Sequence, residues 1–235
     1  MVTLNLPMDT DPGGSFAGEG STQFPWDTIS KIDFQVIRAQ SGDDHFARRY
    51  WPLESLDIDS YLRCEFKVRP LSTTDNYSLG MVGFHNSADI PLEDNLKNFV
   101  GCILVKDIWG TPTGWRFYAF IVDDLGQVDS DPQAIDYDTY KDQWLKVVYE
   151  YIDKTLTVKV YDDMDTLILT SNVTLTDERT FSLDSLSFAN NNWSTRTALT
   201  IYRADVNNLI AQTTVPTGSL VIKNTILKNT AVRAI

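Results

Sequence analysis

The segment Trp144–Asp163, WLKVVYEYIDKTLTVKVYDD, changes character at every residue through two consecutive runs. Val147, Tyr149 and Tyr151 share one parity, and Trp144, Lys146, Val148 and Glu150 share the other. After Asp153-Lys154 the alternation resumes, with Leu156, Val158 and Val160 set against Thr157, Lys159 and Tyr161. Successive side chains of a strand point to opposite faces, so a period of two excludes a helix here. Asp suits the short connection, because it tolerates turn conformations and can bond to its own backbone. The segment predicts a β-hairpin with one buried face, with Val147, Tyr149, Leu156 and Val158 in the core.

Short apolar runs of the same kind recur from about Thr28 onward. They include KIDFQVIRA, YLRCEFKVRP, NYSLGMVGFH, FVGCILVKDIWG, GWRFYAFIVDD, LILTSNVTL, LDSLSFAN and ALTIYRADV. Gly-, Pro-, Asn- or Asp-bearing breaks separate them, and no long stretch has helical periodicity. This rhythm predicts an all-β chain, a two-sheet antiparallel sandwich or jelly roll. At 235 residues a single such domain is large enough to build its core without disulfide staples. Cys64 and Cys102 both lie in apolar strand contexts and are expected as buried free thiols, with one disulfide as the alternative.

The two ends differ from the middle. Residues 1–27 carry Asp9, Asp11, Glu19 and Asp27 with no base, and are rich in Gly, Pro and Ser; they predict an acidic arm. Residues 28–210 form the expected sandwich. From Ala211 the charges are Lys223, Lys228 and Arg233 with no acid, and Val215-Pro216-Thr217-Gly218 is a hinge signal before the strand-like SLVIKNTIL. The tail predicts a basic arm or extra strand able to join another copy, with two solvated ends as the plainer alternative.

The formal charge of −12 argues against a nucleic-acid backbone as ligand, because few phosphates would be neutralised. No run is long and apolar enough to suggest membrane insertion by a helix. The first residues, MVTLNLPMDTDPGG, lack the basic and apolar regions of a secretory signal, which fits a virion protein released by lysis and equally a cytosolic one; a virion or extracellular surface location is favoured.

Three stretches resemble the concanavalin A-like and laminin G-like jelly rolls. DQWLKVVYEYIDKTLTVKVYDD is similar to a hairpin of that family, FSLDSLSFANNN to a strand closing in an Asn-rich loop, and RTALTIYRADVNNL to its closing strand. SGDDHFARRYWPL, YLRCEFKVRP and NYSLGMVGFHN fit its opening strands. The resemblance spans roughly 28–210. It implies two curved sheets, and glycan recognition or glycan cleavage as activities, although fold alone licenses neither.

The chemistry-bearing residues favour binding. Glycoside cleavage needs two carboxylates at a set separation, and the family's Glu-x-Asp-x-x-Glu string is absent. Glu54, Asp57 and Asp59 are the nearest cluster, and they read as a solvated turn. Of the two histidines, His45 is expected near Asp43 or Asp44, and convergence of His85 with Asn86 and Arg116 would be needed for a lyase-type base. Trp109, Trp115 and Trp193 sit in Gly-, Pro- and Asn-rich stretches. An indole on a loop suits stacking on a sugar ring, with Asn190 and Asn191 bonding to hydroxyls; indoles serving as lids of the core are the alternative. Asp123, Asp124, Asp129 and Asp131 lie close in one acidic segment and are candidate calcium ligands, though an acidic turn left to solvent is the commoner arrangement.

The combined expectation is a non-catalytic, lectin-like subunit or decoration of a surface, virus or phage particle. It would contact other copies through its arms and a glycan through its loops. A stand-alone carbohydrate-binding module is the first alternative, and a hydrolase or lyase of the same fold the second.

Overall fold

The computed structural model describes residues 2–6, 13–18, 26–27, 31–35, 46–56, 61–70, 77–89, 98–107, 114–123, 125–131, 133–177, 179, 181–191 and 203–213. The strands in chain order are β1 (Val2–Leu6), β2 (Ser15–Gly18), β3 (Trp26–Asp27), β4 (Lys31–Gln35), β5 (Phe46–Leu56), β6 (Leu62–Pro70), β7 (Tyr77–His85) and β8 (Phe99–Asp107). Then follow β9 (Gly114–Asp123), β10 (Gly126–Asp129), β11 (Gln133–Asp136), a single helical turn α1 (Tyr137–Tyr140), β12 (Leu145–Ile152), β13 (Thr155–Tyr161), β14 (Leu167–Thr174), β15 (Leu183–Asn191) and β16 (Arg203–Gln212).

These strands form two antiparallel sheets. Sheet A runs β14-β13-β12-β6-β16-β4-β3, with β1 sharing the free side of β16. Sheet B runs β10-β9-β8-β7-β15-β5-β2, with β11 sharing the free side of β9. The expected all-β, two-sheet sandwich is therefore what the chain forms.

The opening hairpin is β12–β13, paired from Lys146↔Tyr161 to Ile152↔Thr155. Asp153 (φ 48°) and Lys154 (φ 64°) make its two-residue turn, and paired left-handed residues match the twist of the flanking strands. The Lys154 carbonyl accepts a hydrogen bond from the Leu175 amide, 2.9 Å, which ties the turn to the chain leaving β14. Val147, Tyr149, Leu156 and Val158 are all fully buried, as their parity predicts. The opposite parity, Lys146, Val148, Glu150 and Ile152, lies on the outer face with Arg63, Glu65, Lys67 and Arg69 of β6.

The main core fills the space between the sheets. Leu62, Cys64, Phe66 and Val68 of β6 and the inward residues of β12 and β13 meet Val82, Phe84, Val100, Cys102, Leu104, Phe117, Ala119 and Ile121 of sheet B. Cys64 and Cys102 are free and buried, one in each sheet rather than in neighbouring strands.

Sheet B is buried on its other face as well. Met81, Phe99, Ile103, Phe120 and Val122 form a second apolar cluster there, with Tyr118 packed against it. Gly83 and Gly101 are cross-strand partners, and the Phe99 ring lies over both. A Cβ on Gly83 would come within 2.5 Å of that ring, so glycine here makes room for the aromatic side chain.

The described parts of residues 1–27 are paired into the two sheets. β1 pairs with Leu209–Gln212 of β16 and buries Leu6, β2 pairs with Ala47–Tyr50 of β5, and β3 pairs with β4. Backbone pairing rather than composition decides this: a short polar strand needs only a free sheet edge to satisfy its amides. Likewise β16 runs on through Ala211 and Gln212, past the expected boundary at 210. The hinge at 215–218 and the basic tail lie outside the described residues.

Candidate functional site

The ends of the strands determine which loops share a neighbourhood. β8 and β15 flank β7 and both run antiparallel to it, so they point the same way. β8 ends at Asp107 opposite Tyr77, and β15 ends at Asn191, beyond Asn190 opposite Gly80. Their exits therefore lie at one end of sheet B, two strand spacings apart, about 10 Å. β9 begins at this end with Gly114, paired to Asp107, and β11 finishes there with Asp136, paired to Gly114. The start of β5 is there too, with Phe46 opposite Asn191.

Of the five residues expected to meet a sugar, Trp115, Asn190 and Asn191 fall within the described residues. Trp109 follows β8 by two residues and Trp193 follows β15 by two; both lie outside the described residues. Asn190 and Asn191 belong to β15 itself rather than to the loop beyond it. Trp115 is a correction: it is the second residue of β9, faces the main core and is 1% exposed. It pairs with Lys106 and Ile135, and a ladder position with its side chain inward cannot present the indole to a ligand. The Gly-Trp dipeptide starts a strand here instead of lying in a turn.

The expected calcium ligands are also dispersed. The acidic segment is not one loop, because Gly126–Asp129 and Gln133–Asp136 pair with β9 as β10 and β11. Between them Ser130 supplies the bonds that the ladder lacks. Its amide donates to the Ala119 carbonyl (3.0 Å), its Oγ accepts from the Ala119 amide (3.0 Å), and Ser171 Oγ of sheet A hydrogen-bonds to it. Asp123 is buried, and its Oδ1 accepts from Arg179 Nη1 at 2.9 Å and from the Leu125 amide at 2.9 Å. Arg179 also donates to the Gly126 carbonyl at 2.8 Å, so the pair fastens the chain after β14 to the β9–β10 turn. A guanidinium in contact with the carboxylate opposes a divalent cation at the same oxygens. Asp129 and Asp131 are exposed, and Asp124 lies outside the described residues. Among the described residues no three His, Cys, Asp or Glu side chains cluster as a metal site. Among the described residues, Asp123, Asp129 and Asp131 are not brought together around one cation position.

His85 does not meet Arg116, which stands on β9 opposite Val105 and Ala134, several rows away. The basic partner of His85 is Arg48, whose Nη1 lies 2.9 Å from His85 Nδ1. Both residues are buried. Arg48 also donates to the Asn86 carbonyl (2.9 Å) and to the Ser87 carbonyl, and its guanidinium lies 4.8 Å from the Tyr50 ring centroid. Asp184 accepts from the Ser87 amide (2.6 Å) and hydroxyl (2.7 Å), so the 86–89 turn is held from two strands. Sequence reasoning did not single out Arg48. Its signal was an Arg-Arg pair inside an otherwise apolar strand, FARRYWPL.

The core holds further ionisable groups out of water. Burial pushes the Cys64 thiol up to about 12 and moves the Cys102 thiol in the same direction. Burial also raises Tyr149 well above the ordinary phenol range, with the Cys64 and Cys102 sulfurs adding to the effect. Tyr61 is raised by burial and by donating to Glu150 at 2.7 Å. None of these groups is disposed for catalysis: each is either sealed in the core or turned to the outer face of sheet A.

No family model and no curated protein sequence matches the chain. Solved structures do. Peanut lectin in complex with a 9mer peptide is 12% identical, with a TM-score of 0.57, covering 88% of this chain and 95% of that one. The exoplasmic/lumenal domain of VIP36 in its Ca2+/Man3GlcNAc-bound form is 9% identical, with a TM-score of 0.57, covering 94% and 90%. The CBM2 module of the evolved Dit of Lactobacillus casei BL23 phage J-1 is 9% identical, with a TM-score of 0.60, covering 89% and 94%. Identities this low speak to architecture alone, and on architecture they agree: this chain has the concanavalin A-like jelly-roll fold of the lectins.

Proposed function

We propose that this protein is a non-catalytic, glycan-binding subunit or decoration of a virus or phage particle or similar surface assembly. The observation that carries the reading is the likeness to the phage J-1 Dit carbohydrate-binding module over nearly the full length of both chains. The lectins that share the fold support the glycan half. The loops that leave β8 and β15 at one end of sheet B are the proposed contact, with Trp109 and Trp193 stacking on sugar rings and Asn190 and Asn191 bonding to hydroxyls. Assembly contacts through the basic tail belong to the same reading.

The binding half is tested on a broad polysaccharide and cell-wall panel. Retention of the wild type and its loss in Trp109→Ala or Trp193→Ala, with unchanged far-UV circular dichroism, is the expected result. Each lost stacking contact contributes about 0.5–1.5 kcal/mol beyond its area. A wild type that binds nothing on the panel removes the glycan half. Calcium is tested in the same assay, since VIP36 carries it in its bound form; retention unaffected by EGTA assigns binding to the loops without metal. The assembly half is tested by light scattering at low salt, where deleting residues 216–235 or reversing Lys223 and Lys228 to Glu reduces self-association. A tethered, stand-alone binding module is the alternative, and it predicts a monomer in every one of these samples.

A further inference from the structure

We propose that the Arg48–His85 contact is an acid-sensitive latch that holds the 86–89 turn at the end of β7. Arginine has no acceptor atom and stays charged, so in the 2.9 Å contact Nη1 donates and His85 Nδ1 accepts. That fixes the imidazole as neutral, with its proton on Nε2. A proton arriving from solvent at Nδ1 removes the acceptor and sets two buried cations against each other. The Arg48 bonds to the Asn86 and Ser87 carbonyls depend on the same guanidinium position, so the turn loses that anchor and is left with Asp184, the Ser182 carbonyl and Asn98.

The surroundings make the arrangement tight. Arg48 stands opposite Ala189, whose other neighbour is Met81, and its guanidinium reaches His85 at the end of β7. Among the described residues, the ionisable groups around the latch are Arg48 and Tyr50 of β5, Asp89 of the turn, and Asp184 of β15; Phe99 of β8 meets the His85 ring edge-on at 6.0 Å. Burial opposes the Arg48 charge while Tyr50, Asp89 and Asp184 favour it, so the cation is held by neighbours that a second charge beside it would disturb. Phe99, whose ring meets His85, belongs to the second apolar cluster. The linkage follows in sign: the unfolded or opened form takes up a proton that the closed latch excludes, so stability is full at neutral pH and falls as pH falls.

The chain has only His45 and His85, which makes the test direct. Long-range imidazole nitrogen NMR on the full chain, with His45→Gln to assign the signals, is expected to find His85 as the neutral Nε2–H form at pH 7. Titration towards pH 4.5 should then protonate His85 only together with faster amide exchange at 86–89. His85→Gln retains an acceptor for Arg48 but cannot titrate. Relative to this variant, the wild-type folding equilibrium should fall by up to about tenfold more per pH unit on acidification. A proton on Nδ1 at pH 7, or titration of His85 with amide exchange at 86–89 unchanged, overturns the latch. If His85→Gln does not fold, the wild-type NMR titration decides alone. Glycan retention plays no part in these readouts, so failure here is separate from failure of the proposed function.

Discussion

At the scale of single residues, parity is the strongest determinant. Val158 is fully buried between Ser171 and Tyr149 in the ladder of sheet A, and nothing there can neutralise a charge. Val158→Asp should lose about 3 kcal/mol or more of unfolding free energy in a denaturant titration, or fail to fold. An unchanged midpoint would contradict the placement of β13. The two thiols give a second test. With Cys64 held at about 12, only about one molecule in ten thousand carries its thiolate at pH 8, and the residue is also sealed from solvent. Cys102 is buried alike and shifted the same way. Native protein should therefore be silent to a thiol reagent at pH 8 and report two thiols once unfolded. Prompt labelling of the native state would mean that the sheets separate far more readily than this packing allows.

Elements diverge most where both faces of a strand are buried. β12 reads as clean alternation and was legible from its residues alone. β8 buries Phe99 through Leu104 without a break, because the main core takes one parity and the second cluster the other. Its run FVGCILV is continuous rather than alternating, which is the pattern of a strand covered on both sides. The glycine of this run has a packing reason that no propensity reveals. A Cβ on Gly101 would lie 2.4 Å from the Val82 carbonyl and 3.0 Å from the Phe99 ring. Gly101→Ala should lower the melting temperature by several degrees, as expected for a destabilisation of about 1–3 kcal/mol from overpacking. A neutral substitution there would show that the β7 backbone at Val82–Gly83 gives way to the added methyl.

For the whole molecule, the decisive fact is that the chain's first residues are built into both sheets. β1 closes the free side of β16 while β2 extends sheet B at β5. Removing residues 1–27 therefore exposes an edge on each sheet and uncovers the main core near Leu6. A 28–235 protein should melt at lower temperature and aggregate on storage, as followed by differential scanning fluorimetry and light scattering. A truncated protein as stable and monodisperse as the full chain would mean that these strands add nothing. The expectation of an acidic arm over 1–27 rested on composition, and composition cannot distinguish a polar linker from a short edge strand.

Period-two patterning by itself determined the class of fold, the hairpin and its buried face, since the two-residue repeat of a strand leaves each side chain only one face to choose. The resemblance of Trp144–Asp163 to a jelly-roll hairpin pointed to the right architecture for the same reason. Only the tertiary structure decided that Trp115 faces the core, that Asp123 is claimed by Arg179, and that His85 answers to Arg48. Each of these depends on a partner far away in the chain: 56 residues for Asp123 and 37 for His85. Local pattern specifies which face a residue takes, but its chemical neighbour is set by which strands the two sheets bring together.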